Sequence, residues 1–355
     1  MSAVTDAKDK PGALVPGSPP SWEHLSDEEL LQWRIADLKT SIPGSPVERR
    51  VQQLYDELAA RGLVFRPPCY LTTEWLTPDR IPAVGIPFYL THPRLIKLER
   101  TMMLEAEGES ETTCMKLLRH ETGHAINYAY RLYRKSRWRE LFGKFTLPYD
   151  PHSYTMRPYS KQFVVHLKDS YAQAHPDEDF AETFAVWLTP GLDWRKKYTG
   201  WNALKKLEYV DHLMRNIASH PPPVKEFKRL WAADRVRSTL GNYYKNKQRA
   251  FGEGYLGFYD ALLLKLFSVD EHHDAVSASN FLQKHRKQLI NEIAHWARLP
   301  KYSVQQLLAR LSQRAREMKL FLRTSPEQTL LTIGISITAQ LLAEQQNYLA
   351  SGSDA

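Results

Sequence analysis

Cysteine is scarce in this chain, because Cys69 and Cys114 are the two cysteines among 355 residues. So small a number excludes a disulfide-rich secreted scaffold and a zinc ribbon built from cysteine ligands. A single disulfide between the two remains an alternative, but two reduced thiols are the expectation. A chain of this length can instead bury a substantial hydrophobic core, in one large domain or in two modest ones.

Long apolar segments are also missing. Residues 1–20 lack the basic segment followed by an apolar one that a secretory signal peptide needs. The longest apolar stretch, residues 330–343, is interrupted by Thr, Ser, Gly and Gln and is too short to span a bilayer. These features predict a soluble, cytoplasmic protein without a membrane partner.

A concentrated basic surface is absent as well. The net charge of +8 is spread along the chain, and no nucleic-acid reader motif accompanies it. We therefore predict no nucleic-acid partner. Charged residues make up 25% and hydrophobic residues 43%, which is ordinary for a globular protein.

The order of local patterns divides the chain into three parts. Residues 1–24 form a tail whose first 20 residues are rich in Pro, Gly, Ser and Asp, and we expect it to be disordered. Residues 25–235 contain helix signals, a short strand-rich stretch and then longer helices, and residues 236–355 are helical. The predicted fold is α+β and dominated by helices, with strands only before the long central helix.

Several elements can be predicted with approximate bounds. Ser26 and the acidic residues after it open a first helix, and Gly62 closes a second one over about 47–61. Four further elements are expected: strands at Cys69–Thr73 and Ile86–Thr91, and helices at Thr112–Lys135 and Pro176–Leu188.

The long central helix carries the motif HExxH in His120, Glu121 and His124. Residues four apart on a helix differ by about 40° in direction, so both imidazoles project to one side and can bind one Zn²⁺. Glu121 lies beside them, where a carboxylate can polarise a metal-bound water and carry its proton. Apolar residues occupy the same arc, so the site should be buried: Leu117, Leu118, Ala125, Tyr128 and Leu132.

A catalytic zinc site needs a third protein ligand, and the helix after Pro176 offers the best candidates. Glu178 and Glu182 are four residues apart and share one side of that helix, flanked by Ala181 and Ala185, which would permit a close approach to the HExxH helix. One glutamate would bind the metal and the other would fix a ligand imidazole. The alternatives are a capping role for Glu178 and a solvated face for Glu182. His175 and Asp179 are weaker ligand candidates.

HExxH followed by two glutamates on a second helix resembles the glutamate-zincin superfamily. Residues Glu178–Phe184 are especially similar to the matching helix of anthrax lethal factor. The resemblance implies that Glu178 is the third ligand and that Glu182 supports a histidine. It also implies an oxyanion-stabilising tyrosine seven residues before the ligand, which is Tyr171 here.

A longer resemblance covers about residues 28–235. Its residues are Asp37-Leu38, Arg61-Gly62-Leu63, Ile86–Leu90, Arg119–His124 and His175–Leu188. They are similar to a family of bacterial zinc-binding metallopeptidases, which implies a zincin-like domain over 25–235 and a peptide or protein substrate. Relatives with an N-terminal cysteine zinc ribbon differ from this chain, which has no such cysteines.

Three other features bear on substrate access. Ile86–Leu90 is either a cleft-edge strand for an extended peptide or an interior strand. The stretch 140–170 predicts an ordered aromatic loop, a candidate lid, with Tyr149, Tyr154 and Tyr159 beside Pro148, Pro151 and Pro158. The basic run Arg131, Arg134, Lys135, Arg137 and Arg139 suits a helix C-terminus facing water or, as the alternative, a substrate-binding surface.

Together these patterns predict a zinc-dependent hydrolase, specifically a peptidase, with Glu121 as general base and Tyr171 as oxyanion donor. Two alternatives remain open. One is a non-catalytic binding or regulatory protein whose zinc ion holds two helices together, and the other is a zinc hydrolase of a non-peptide amide. The sequence does not determine the oligomeric state.

Overall fold

The structure, a computed structural model, describes residues 22–149, 157, 160–225, 227–252, 260–269 and 276–351. The α-helices are α1 (Asp27–Leu30), α2 (Pro46–Ala60), α3 (Pro93–Met103), α4 (Glu111–Ala129), α5 (Ser136–Phe142), α6 (Pro176–Leu188), α7 (Trp194–Lys197), α8 (Ala203–Ile217), α9 (Leu240–Gly252), α10 (Asp260–Leu266), α11 (Ala278–Lys284), α12 (Arg286–Ala297), α13 (Lys301–Glu317) and α14 (Pro326–Ser351). The strands are β1 (Cys69–Thr72), β2 (Val84–Pro87), β3 (Phe267–Ser268) and β4 (Phe321–Leu322). The predicted helix-dominated α+β fold is confirmed.

The first predicted helix is shorter than its apolar pattern indicates. Ser26 and Glu29 form a reciprocal capping box, but α1 ends after one turn, and a 3-10 helix follows at Ile35–Leu38. Trp22, which the predicted tail included, is buried and donates its indole N–H to the Leu38 carbonyl. Residues 1–21 of that tail lie outside the described residues.

The small sheet near the site pairs β1 and β2 in parallel, with Cys69 opposite Val84. Leu76 bridges Gly85 of β2 as well, and all four residues of β2 are buried. The strand predicted at Ile86–Thr91 ends at Pro87, because Phe88–Thr91 turns into a buried 3-10 helix. Ile86–Leu90 is therefore interior, and the cleft-edge alternative for it is wrong.

Strands also occur beyond the central helix, contrary to prediction. The two-residue strands β3 and β4 pair antiparallel, with Phe267 opposite Leu322. So short a pair has no alternating pattern that a sequence could reveal.

The central helix ends earlier than predicted. It stops at Ala129 rather than Lys135, because Arg131 adopts a left-handed conformation with φ of 52° and a 3-10 turn follows. The basic run from Arg131 to Arg139 thus lies on that turn and on α5, where all five cationic side chains are exposed.

Two large hydrophobic cores organise the described residues, beside a small cluster of Tyr70, Ala83 and Ala232. The first extends from Trp22 to Tyr244 and encloses α4 and α6, and Leu240 and Tyr244 of α9 belong to it. The second extends from Leu263 to Leu341 and joins α10–α14. The boundary placed at residue 235 stays a prediction. No helix in the described part of the chain has the length and apolar character that crossing a membrane requires.

Candidate metal centre

The site is built where α4 and α6 cross in close contact. His120 faces Glu182 and His124 faces Glu178, so the two helices run antiparallel along this contact. Gly123 lies between the histidines. A Cβ at this position would be 2.7 Å from the Cα of Ala181, so only glycine permits this spacing between the helices. The small residue predicted on α6 at Ala181 therefore meets an equally small one on α4.

Helix α6 spans Pro176–Leu188, as predicted, and its start is fixed by His175 and Pro176. The His175 side chain is the N-cap and accepts from the backbone N–H of Asp177 through Nδ1, while Nε2 donates to the Leu147 carbonyl. Both ring nitrogens are thus engaged, and His175 is not a metal ligand candidate in this structure.

Three side chains bring potential metal-binding atoms together. Nε2 of His120 and Nε2 of His124 are 3.2 Å apart. A single oxygen of Glu178, Oε2, lies 3.0 Å from the first nitrogen and 3.2 Å from the second. Among the described residues these three form the group that could hold a metal ion, and all are buried. The predicted trio of His120, His124 and Glu178 therefore converges on one point.

The opposite nitrogen of each imidazole is held by its own carboxylate. Nδ1 of His120 donates to Glu182 at 2.8 Å, as expected for Glu182. Nδ1 of His124 donates to Asp177 at 2.9 Å. Because ionised carboxylates only accept hydrogen bonds, each Nδ1 carries a proton, and Nε2 is the atom of each ring that can bind a metal ion once it has lost its own proton.

Asp177 is the site residue that sequence reasoning missed. Besides His124 it accepts from Asn127 Nδ2 at 2.7 Å and from the Tyr128 hydroxyl at 2.5 Å, and it is buried. The available signal was the run of three acids in the first turn of a helix whose other residues, apart from Glu182 and Thr183, are apolar. Such a run usually reflects the favourable interaction of acidic side chains with the positive end of the helix dipole. Here, however, all three acids are buried and contact different partners.

The third acid of the run, Asp179, is paired away from the site. Its carboxylate accepts from Lys206 Nζ of α8 at 2.6 Å. Burial raises the pKa of Asp179 to about 7, against the opposing charge of Lys206. The prediction of Asp179 as a weaker ligand candidate is therefore wrong in this structure, since its partner is a buried ammonium.

The donor set fits a tetrahedral metal ion. Bonds of 2.0–2.1 Å to zinc place tetrahedral ligand atoms about 3.3–3.4 Å apart. The three separations in the site, between 3.0 and 3.2 Å, approach this value. Three lone-pair atoms this close repel one another unless a cation lies between them, so the geometry requires a proton or a metal ion.

The electrostatics of the site also favour a cation. Burial opposes the charged form of the His120 imidazole, but the hydrogen bonds that its ring donates to Glu178 and Glu182 outweigh burial and raise its pKa to about 10. Asp177 and Glu178 likewise raise the pKa of His124, while the two histidines hold the pKa of Glu178 below its usual range despite burial. A metal ion would replace the imidazole proton, so its binding should release protons.

Glu121 lies on the same buried stretch of α4 and is 8% exposed. Burial raises the pKa of its carboxyl above the usual value, and the two charged histidines oppose that effect. The Thr77 hydroxyl donates to the Glu121 carbonyl at 3.0 Å and ties the segment after β1 to the site helix. A carboxyl with a raised pKa next to a cation site is suited to accept and return a proton.

Two tyrosines lie on the side of Glu178. Tyr171 is in a 3-10 helix, Lys168–Gln173, and its ring centroid is 5.7 Å from that of His120. Its hydroxyl is 2.5 Å from the hydroxyl of Tyr149. Burial and the charge of Glu178 raise the pKa of Tyr171, so its phenol stays protonated. Of the aromatic loop predicted as a lid, Pro148 and Tyr149 are described, whereas Pro151, Tyr154, Pro158 and Tyr159 lie outside the described residues.

Comparison with known proteins agrees with this chemistry. A family profile described as "Putative zinc-binding metallo-peptidase" matches residues 97–197, which include all of α4 and α6. Comparisons with curated proteins and with solved structures gave no significant match. The matched region is thus similar to a family described as zinc-binding, and it contains the His-His-Glu cluster that could hold the metal ion.

Proposed function

We propose that this protein is a zinc peptidase of the glutamate-zincin type, in which His120, His124 and Glu178 hold the metal. The observation that carries the proposal is the convergence of three buried lone-pair atoms beside a buried glutamate. When bound there, zinc would lower the pKa of a water molecule and polarise a substrate carbonyl.

The chain's own residues would carry the protons. Glu121 accepts the proton of the attacking water as the new C–O bond forms, and then returns that proton to the leaving amine as the C–N bond breaks. The Tyr171 hydroxyl donates a hydrogen bond to the oxygen that becomes negative in the tetrahedral transition state. Glu182 and Asp177 keep the two imidazoles in the required tautomer and orientation.

A non-catalytic zinc protein is the second candidate, and the low exposure of the site favours it. His120 is 3% exposed, and no residue of the His-His-Glu cluster exceeds 7%. Structural zinc sites, however, use four protein ligands, and among the described residues the cluster supplies three. A structural site also has no need for a buried glutamate beside the histidines. Hydrolysis of a non-peptide amide would use the same residues and a smaller cleft.

Metal content is the first test. We expect one zinc ion per wild-type chain by elemental analysis, and its loss in His120→Ala and in Glu178→Ala. His212→Ala and Glu208→Ala remove the same side-chain types from exposed positions on α8 and should retain zinc. Zinc lost in His120→Ala but kept in Glu178→Ala would contradict the third ligand, and a wild type that cannot be loaded would contradict the whole proposal.

Peptide cleavage is the second test. On a peptide library, Glu121→Gln should keep its zinc and lose about 10²- to 10⁴-fold in rate, because it removes the general base. A zinc-loaded wild type that cleaves no peptide would favour the non-catalytic candidate.

A further inference from the structure

A wide groove lies on the surface between the start of α5 and one face of α8. Its volume is about 760 Å³, and three cationic side chains line it, those of Lys135, Arg137 and Lys205, together with the acidic Glu208. Lys135 and Arg137 belong to the basic run that follows the central helix, whereas Lys205 and Glu208 come from α8. The fold therefore brings two residues of that run into one groove with a lysine from a distant part of the chain.

The positive charge of the groove is only partly neutralised by the protein itself. Within the described structure, neither Lys135 nor Lys205 has an acidic group within ion-pair distance, and both side chains are exposed. Arg137 pairs with Glu140 at 2.8 Å, but the two side chains are 62% and 58% exposed. Water screens so exposed a pair, so an anionic ligand can compete for the guanidinium. All three cations are thus available to a ligand.

An uncharged donor also belongs to the groove. Tyr209 lines it, and its buried hydroxyl has no hydrogen-bond partner among the described residues. The ring packs near Phe142 of α5, with a centroid distance of 6.3 Å, which helps to hold the hydroxyl in place. A buried hydroxyl without a partner costs free energy. A ligand oxygen that accepts its proton would remove that cost, once the long exposed side chains of the groove turn to admit it.

The charges of the groove favour carboxylates over phosphates. The guanidinium fork of Arg137 matches the two oxygens of a carboxylate, and the lysines add point charges that suit either anion. A phosphate group carries nearly two negative charges, so Glu208 would repel it about twice as strongly as it repels a carboxylate. The volume of the groove lies in the range that holds ligands much larger than a single ion. Several carboxylates on one chain fit these properties best.

We propose that this groove binds an acidic segment of another protein, whose carboxylates pair with Lys135, Arg137 and Lys205 and accept a hydrogen bond from Tyr209. The proposal goes beyond the proposed function and does not depend on it, since the residues that line the groove include no member of the His-His-Glu cluster. Zinc content and peptide binding are therefore separate measurements.

The test titrates the full-length chain into fluorescein-labelled hexaglutamate and follows fluorescence anisotropy at fixed ionic strength, with hexaglutamine as the neutral control peptide. Two triple variants remove the same number of positive charges. The groove variant combines Lys135→Gln, Arg137→Gln and Lys205→Gln. The control variant takes three exposed arginines of the same basic run that do not line the groove, and it combines Arg131→Gln, Arg134→Gln and Arg139→Gln. The labelled peptide is checked for cleavage after each titration.

We expect the groove variant to bind hexaglutamate at least about 10-fold more weakly than the wild type, because it loses three charged partners. The control variant should lose at most about 3-fold, through long-range charge alone. Tyr209→Phe changes no charge and should still bind about 2- to 10-fold more weakly, because the peptide loses one hydrogen bond. Glu208→Gln should bind about 2- to 5-fold more tightly, since it removes the like charge, and unfolding cannot produce such a gain.

Three results would overturn the inference, whatever the zinc content of the protein. Equal weakening in the two triple variants would mean that diffuse surface charge, rather than the groove, attracts the peptide. Displacement of hexaglutamate by inorganic phosphate at equal ionic strength would assign the groove to phosphate groups. A wild type that binds hexaglutamate no better than hexaglutamine would show that the groove has no acidic ligand of this kind.

Discussion

Gly123 and Gly334 both lie inside long helices, but the first is tightly packed against another helix and the second has open space around it. At Gly123, in α4, a Cβ would collide with the backbone of Ala181 in α6. At Gly334, in α14, a Cβ would meet nothing within 4 Å. The first glycine is required by the contact that forms the candidate metal centre, whereas the second only lowers the stability of its helix.

The same contrast extends to the two regions as a whole. Around α4 and α6 the protein buries ionisable groups, among them Glu57, Arg119 and Glu182. The core formed by α10–α14 buries leucine, isoleucine, alanine and a few serines, such as the hydrogen-bonded pair Ser279 and Ser312. Buried charge costs free energy unless it is paired. The first region therefore gives up stability to hold a cation site, and substitutions there should have larger effects than equivalent ones in the second.

The largest effect is expected at the ion pair beneath the site helix. Arg119 of α4 donates twice to Glu57 of α2, at 2.7 Å each, and both side chains are buried. Glu57→Ala leaves the guanidinium buried without its partner, so we expect a loss of about 3–5 kcal/mol in the free energy of unfolding, measured with urea. Glu317→Ala removes an exposed partner of Arg314 and should cost at most about 1 kcal/mol. Equal losses of stability in the two variants would contradict the claim that substitutions around α4 and α6 have larger effects than equivalent ones in α10–α14.

The next effect is expected at Gly123. Gly123→Ala must separate α4 from α6, because the Ala181 backbone cannot turn aside as a side chain could. Overpacking of this kind costs about 1–3 kcal/mol. Since the separation also moves Glu178 away from the histidines, zinc affinity should fall by more than the stability change alone implies. Chelator competition and urea unfolding measure the two quantities, and a variant with wild-type zinc affinity would show that the helix contact does not position the ligands.

Asp177 offers a smaller and more local perturbation. Asp177→Asn replaces the acceptor of the His124 Nδ1 proton with a neutral amide of the same shape. Loss of such a supporting carboxylate usually lowers metal affinity about 10- to 100-fold, and we expect that range in a chelator competition assay. Glu182→Gln is the paired variant at His120 and should fall in the same range. If neither variant weakens zinc binding, the carboxylates do not support the imidazoles.

His166 makes the stability of the site region depend on pH. Burial lowers its pKa to about 4, and its Nε2–H donates to the Lys116 carbonyl of α4. The unfolded chain, with a histidine pKa of about 6.5, binds more protons between those values, so stability falls as the pH drops through this window. From pH 7 to pH 5 the wild type should lose about 2 kcal/mol more than His166→Gln, which does not titrate. Parallel pH dependence in the two proteins would contradict the assignment.

The sequence predicts the parts of the site that depend on spacing along one helix. HExxH and the pair Glu178 and Glu182 follow from the helical repeat, and α6 has its predicted bounds because Pro176 opens the helix and Pro190 follows its end. The convergence of Glu178 with both histidines also agrees with the expectation from the zincin resemblance.

Other features depend on contacts between segments that no local pattern records. Asp177 reaches His124 only because α4 and α6 run antiparallel in one register, and Tyr149 meets Tyr171 across a separation of 22 residues in the sequence. The helix α4 ends at Ala129 and Arg131 is left-handed, although the local sequence pattern favours a helix as far as Lys135. Asp177, whose three partners all lie on another helix, was therefore the site residue missed.

The smallest effect is expected at Gly334, and its sign distinguishes the two regions. Gly334→Ala adds a methyl group where nothing lies within 4 Å, and it removes the high conformational entropy of glycine from the unfolded chain. We expect a gain of about 0.4–1 kcal/mol in the free energy of unfolding, with zinc affinity unchanged. The same chemical change would then stabilise α14 and disrupt α4. Destabilisation by Gly334→Ala would instead mean that the exposed side of α14, which carries Leu331 and Ile335, packs closely against another surface in solution.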